Sequence, residues 1–340
     1  MIDIRLYGAN VDGVTNDATI INNALLESDI ILRNGVFLIS SSILLPSNRY
    51  LYLENCKLIL ANESYDNMIR NLDCLNGNSN IHIIGLGNVV LDHNGANNWS
   101  LNYAVYGGKS NTSENLYKAN TLFFCNVDTF SITGLEIVDH PHYAGCLQGC
   151  SWGIITGLFF NHYSDCQNQD GIQLIFGTHD ISFERLYGRT GDDFVSIFLG
   201  TYFGTLFYPL FNFNHGDCFN ISWKNLIVRS TYHVVVFICG DGNKIYNITG
   251  DEILIIYSLF LSYFGYSTYV ITPPTKEEFK DISFDNVQVE SNAADYVVDF
   301  RNDCKNVLFT NFINNSGKTD YMLTSGDQTD NVKINGVQVS

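Results

Sequence analysis

One strip of eight residues recurs along this chain and limits its fold more than any other feature. It runs apolar, any, apolar, two polar or small residues, apolar, any, apolar, as in Phe130-Ser-Ile-Thr-Gly-Leu-Glu-Ile137. Full or shortened copies begin at Gly153, Ile181, Ile221, Ile248, Ile282, Val307 and Val332, and an earlier one begins at Ile81. From Phe130 onward, successive starts lie 23, 28, 40, 27, 34, 25 and 25 residues apart. Period-two alternation broken by a turn pair describes two short strands meeting at a corner, not a helix. A unit of this length cannot bury its apolar face alone. Stacked on copies of itself it can, each coil adding one strand spacing of about 4.8 Å. The expected fold is all-β: a right-handed, single-stranded parallel β-helix. Leucine-rich repeats would need a Leu/Asn consensus that is absent, and a propeller would need longer hairpin units.

A continuous stack leaves no place for a boundary, so residues 1–340 are expected to form a single β-helix domain. Residues 1–30 should supply its cap and first coil. Asn16-Asp17 offers an N-cap there, and Ile20, Ile21, Ala24 and Leu25 an apolar stripe for a short covering helix. The long intervals imply loop insertions near 93–120, 198–217 and 255–275, whose aromatic residues (Trp99, Tyr103, Tyr208 and Tyr263 among them) would wall a groove. At the other end no cap follows the last strip. A partner subunit in a homodimer or trimer is one expected cover, and a longer parent chain is the other explanation.

Charge narrows the partners. Eighteen basic against 35 acidic residues leave a formal charge of -17, which repels phosphate backbones and anionic lipid. Neither nucleic acid nor membrane is an expected partner, and a carbohydrate is. Nine cysteines without a CxxC pair read as buried thiols in a reducing compartment. The longest apolar run, 253–264, is shorter than the roughly 20 residues of a membrane helix. No leader is visible at the start, so a cytoplasmic location is expected, with a virion tail or secretion as the alternative.

Stacking turns sequence spacing into geometry. Asp170, in Asn168-Gln169-Asp170-Gly171, precedes Asp192 and Asp193 by 22 and 23 residues, the length of one coil. The three carboxylates should therefore meet about one strand spacing apart. Packed together they cannot all ionise comfortably, so at least one should hold a proton near neutrality. Glycoside hydrolysis needs such a set, with one protonated acid and one carboxylate base. An Asn/Asp-rich turn stack and a Ca²⁺ site are the rival explanations for the same spacing.

The segments Thr121–Asn126, Phe130–His142, Asn168–Ile172 and Gly191–Asp193, in this order, resemble the motifs of glycoside hydrolase family 28, the polygalacturonase family. The opening stretch, 4–17, is similar to that of the same family and of pectate-lyase-like phage tail proteins. The resemblance implies a hydrolase acting by inversion, with Asp192 as the general acid and Asp170 with Asp193 as the base pair. It implies a histidine one coil on, for which His233 and His215 compete. Asn168, Gln169, His142, Tyr263 and Trp99 are the expected substrate-binding residues. The family's Arg-Ile-Lys motif, which grips a galacturonate carboxylate, is missing. Its coil reads Leu261-Ser-Tyr-Phe-Gly265. Together with the -17 charge, this points to a neutral or only partly acidic glycan rather than polygalacturonate.

Other chemistries are weaker. His140-Pro-His142 and His162 could suggest a metal, but the His-x-His pair has no third ligand at convincing spacing, so neither a metal nor any cofactor is expected. A lyase would need a basic residue at the uronate, and Arg185, Arg189 and Arg229 fall outside the carboxylate coils by spacing. Fructosyl transfer also uses paired carboxylates. The non-catalytic alternative is a tail-spike-like protein that binds glycan, which would need no stacked acids.

Overall fold

The computed structural model describes residues 1–98, 119–162, 168–200, 216–265, 277–323 and 329–339. Each coil gives one long bent strand to a 15-stranded sheet and one short strand to a 10-stranded sheet, as Val127–Val138 and Gly145–Gln148 do. From coil to coil the strands pair in parallel, and the strips stack start on start. Phe130 pairs with Gly153, Gly153 with Ile181, Ile181 with Ile221, and so on through Ile248 and Ile282 to Val307. The molecule is a parallel β-helix.

The corners explain the abundance of asparagine. From Phe130 onward the residue four after each strip start is left-handed (Gly134, Gly157, Arg185, Asn225, Glu252, Asn286, Asn311 and Gly336), and so is the residue just before the start, most often Asn or Asp. Asn and Asp tolerate that conformation better than other side chains. They also reach one strand spacing along the axis. Asn220 Nδ2 donates to Asp180 Oδ1 at 2.8 Å, Asn247 Nδ2 to Asn220 Oδ1 at 3.1 Å, and Asn331 Nδ2 to Asn306 Oδ1 at 2.9 Å.

Inside, the third strip position builds an aromatic column. Trp223 stacks on Phe183 with centroids 6.3 Å apart and on Phe284 at 6.4 Å, and Phe284 stacks on Phe309 at 5.1 Å. Gly250 occupies the register position between Trp223 and Phe284. A Cβ there would stand 2.6 Å from the Phe284 ring, so its absence lets the two rings face each other directly.

The helix Ala18–Glu27 buries Ala18, Ile21, Ala24 and Leu25 against the first coils, as the stripe predicts, with Ile20 partly buried. Its capping differs from the expected pattern. Asp17 turns its carboxylate back to the amides of Asn10 (2.9 Å) and Val11 (3.2 Å), and Asn16 Oδ1 takes the Ala18 amide (3.1 Å). Two full coils, Ile30–Ile39 and Arg49–Leu60, precede the strip at Ile81. In the second of these, Cys56 fills an apolar strip position and is buried.

The last strip also departs from expectation. After Lys333–Ile334 the chain reverses at Asn335 and Gly336, both left-handed, and Val337–Gln338 returns antiparallel. This hairpin buries Val332, Ile334 and Val339, where a second corner strand was expected.

The eight described cysteines are buried and free. No helix among the described residues is long and apolar enough to cross a membrane. Most of the three expected insertions, with Trp99, Tyr103, Tyr208 and His215, lies outside the described residues.

Candidate active site

The short strands Ile172–Ile175, Val195–Phe198 and His233–Ile238 lie side by side, with Ile172 opposite Val195 and Val195 opposite Val235. Counting back two residues along each sets Asp170, Asp193 and His233 in one row. The backbone continues that row. The Gly171 amide donates to the Asp193 carbonyl at 2.9 Å, and the Phe194 amide to the His233 carbonyl at 2.9 Å. One carboxylate oxygen from each of Asp170, Asp192 and Asp193 lies within 4.8 Å of the other two. The one-coil spacing in the sequence becomes contact.

Burial sets the charge of this trio. Asp170 is 4% exposed, and burial pushes its carboxyl well above the usual range, reinforced by Asp193 and then Asp192. Asp192 is pushed up to about 8, again by burial first and the neighbouring Asp193 second. The Asn168 amide donates to Asp192 Oδ2 at 2.5 Å and pulls the other way. Desolvation and like charge therefore keep a proton on the cluster at neutral pH. Asp193 Oδ1 is held by the His233 amide at 3.1 Å and by its ring Nδ1 at 2.6 Å. Of the two histidines suggested by spacing, His233 reaches the trio, and His215 lies outside the described residues.

The loops around Asp192 are fastened through its backbone. The Gln169 carbonyl accepts from the amides of Gly191 (3.1 Å) and Asp192 (3.2 Å), and Gln169 Nε2 donates to the His140 carbonyl (3.3 Å). The Asp192 carbonyl accepts from Thr190 Oγ1 at 2.9 Å and from Ser230 Oγ at 2.6 Å. Gln169 is thus buried behind the trio, and Asn168 offers its backbone amide. Sequence reasoning missed Thr190 and Ser230. They are register partners one coil apart, so a hydroxyl repeated at a strand end was the available signal.

His142 lies one coil toward the N-terminus. It is buried, hydrogen-bonded through Nδ1 to Asn120 Oδ1 at 3.2 Å, and pushed down to about 3 by burial, hence neutral. Tyr263 stands on the opposite flank, its ring 5.3 Å from that of His233. Over its other side lies the Arg301 guanidinium, 5.9 Å from the centroid, with Arg301 Nε on the buried Asp299 at 3.0 Å. A basic residue is therefore present one coil beyond the place where Arg-Ile-Lys is missing, already matched by a carboxylate. Tyr232 was also missed. Its ring meets His233 edge-on, and burial followed by Asp192 and Asp193 raises its hydroxyl.

Among the described residues, the trio is the one group whose donors could surround a cation. The fit is poor. A hard cation takes six to eight oxygens from carboxylates, carbonyls and water, whereas one oxygen of Asp193 is already held by the His233 amide and ring. His140 and His162, 4.6 Å apart, are buried, and burial lowers His140 well below the usual histidine range.

Residues 63–220 match the model of glycosyl hydrolases family 28, a stretch that holds all three aspartates. No curated protein matches the chain in sequence. Solved structures share its fold. An endo-xylogalacturonan hydrolase from Aspergillus tubingensis superposes with a TM-score of 0.68 at 15% identity, over 96% of this chain and 91% of that one. A hyperthermoactive exopolygalacturonase from Thermotoga maritima gives 0.64 at 16% identity, over 99% and 92%. A tailspike protein of E. coli bacteriophage HK620 gives 0.59 at 10% identity, over 94% and 64%. With its stacked strips, the chain shares the parallel β-helix fold of these structures, and the stretch that holds its aspartate trio resembles the family-28 glycosyl hydrolases.

Proposed function

We propose that this glycoside hydrolase breaks its glycosidic bond by acid/base catalysis with inversion. Asp192 gives its proton to the leaving oxygen as the bond to the anomeric carbon breaks. A water held between Asp170 and Asp193 attacks that carbon from the opposite face and passes its proton to the pair. His233, on Asp193 Oδ1, orients the base side. One observation carries the reading: a carboxyl that stays protonated to about pH 8 stands beside two others in a single row.

Inversion comes from the family resemblance. The trio's oxygens lie closer together than the roughly 6.5–9.5 Å usual between the two carboxyls of inverting enzymes. The anomer released first, followed by proton NMR, decides between inversion and retention. The proposed substrate is a neutral or partly acidic glycan. The -17 charge disfavours a polyanion, and Arg301 is neutralised by Asp299. The test is incubation with a panel of neutral and acidic oligosaccharides, with products read by mass spectrometry. Cleavage that disappears in Asp192→Asn supports the reading. Products with a 4,5-unsaturated end would replace it with a lyase. No cleavage, with glycan binding equal in the wild type and in Asp192→Asn, would replace it with a binding protein.

A further inference from the structure

A second constellation lies behind the segment that carries His233. Arg189, Arg229, Ser230, Thr231, Tyr257 and Ser291, with Ile256, line a cavity of about 510 Å³. Arg189 and Arg229 are register partners on adjacent parallel strands, so their side chains leave the sheet about one strand spacing, ~4.8 Å, apart. Like charges directly opposite each other repel unless an anion lies between them. No carboxylate side chain is among the described lining residues.

Arg189 is half-buried and already engaged. Arg229 is exposed and has no hydrogen bond or ion pair among the described residues. That isolates it from the chain's other arginines. Arg33 is held by Asp3, Arg49 by the Leu25 carbonyl, Arg185 by Glu184 and Arg301 by Asp299. In a protein carrying -17, a cavity lined by two guanidinium groups, with no carboxylate among its described lining residues, is a local reversal of charge. Screening over about 10 Å lets such a spot act against the overall field.

We propose that this cavity binds a single anionic substituent of a glycan, a carboxylate or a sulfate ester. Arg229 supplies the forked charge, the hydroxyls of Thr231 and Ser291 supply neutral donors, and Tyr257 supplies a wall. The cavity also touches the catalytic machinery. Ser230, one of its lining residues, donates to the Asp192 carbonyl at 2.6 Å, and the same segment ends at His233 on Asp193. An occupant would brace the turn that positions the acid. That the ligand is a glycan rests on the hydrolase reading, and the cationic cavity itself does not.

The test is calorimetric titration of the whole protein at constant ionic strength with galacturonate, galactose 6-sulfate and galactose. The expected result is binding of one or both anionic sugars at least tenfold tighter than galactose. Arg229→Gln should abolish that preference and Asp192→Asn should keep it. Whether the uronate or the sulfate binds tighter identifies which anion the cavity takes. Equal binding of galactose, an anion preference that survives Arg229→Gln, or binding of none of the three sugars would overturn the proposal. A failed cleavage panel alongside Arg229-dependent anion binding would sink the hydrolase reading and leave the cavity standing. Arg229 is exposed and unbonded, so the variant should fold. An unchanged melting temperature checks this.

Discussion

Two rows of side chains run along the same axis with the same one-coil repeat, and they respond to stacking in opposite ways. In the core, Phe183, Trp223, Phe284 and Phe309 lie ring on ring, each gaining contact area and losing water. At the site, Asp170, Asp193 and His233 form the corresponding row, with Asp192 beside it. There the same spacing forces carboxyls together and out of water, which costs stability and is relieved by retaining a proton. A solenoid thus stabilises itself with one row and holds a strained acid with another. The chemistry of the side chain decides which, not the backbone.

The comparison is broken most sharply at Asp192. Asp192→Asn should lower the hydrolysis rate by about 10²–10⁴-fold, measured on whichever oligosaccharide the panel shows to be cleaved. The same substitution should stabilise the fold at alkaline pH. The folded-state value of Asp192, about 8, lies above its ordinary 3.8, so the native state binds a proton that the unfolded chain has released. Stability from this group is complete below about pH 4 and is lost as pH rises toward 8. The melting temperature of Asp192→Asn should accordingly exceed that of the wild type at pH 8, with the gap narrowing at pH 5. A constant gap would show that the carboxyl does not titrate in that window.

The core row should give the reverse pattern. Trp223→Ala should cost about 3–5 kcal/mol of stability, measured by denaturant unfolding, while the molecules that remain folded keep their activity. Gly250→Ala pushes a methyl toward the Phe284 ring and should cost about 1–3 kcal/mol. The corner ladder is the mildest case. Asn306 gives its amide to Asp281 and accepts from Asn331, and it is left-handed. Asn306→Ala should cost about 1 kcal/mol. A loss as large as that at Trp223 would mean that the corners, not the core, hold the coils in register.

Most of this was legible in the sequence because the fold repeats. Once strips at Phe130, Gly153 and Ile181 are aligned, stacking follows, and with it the meeting of Asp170 with Asp192 and Asp193. The coils at 30–39 and 49–60 were legible too, provided that Cys56 is counted as apolar. The reversal at Asn335-Gly336 was not, because the same pair of residues serves a corner or a hairpin equally well. Nor were Tyr232, Asp299 and Arg301. They sit in short strands and connections whose lengths vary from coil to coil, so no fixed spacing points to them. Arg189 and Arg229 each lie eight residues after a strip start, Ile181 and Ile221, so aligning the strips makes their pairing legible as well.

The central claim is that three stacked carboxyls share a proton retained to about pH 8. Carbon-13 NMR titration of protein labelled at the aspartate side-chain carboxyls tests it without a substrate. The Asp170 and Asp192 carboxyls should both titrate above the usual range, that of Asp192 with a midpoint near pH 8, and Asp192→Asn should abolish the transition near pH 8. If every aspartate has titrated by about pH 5, the trio is an ordinary turn stack and the acid assigned to Asp192 does not exist.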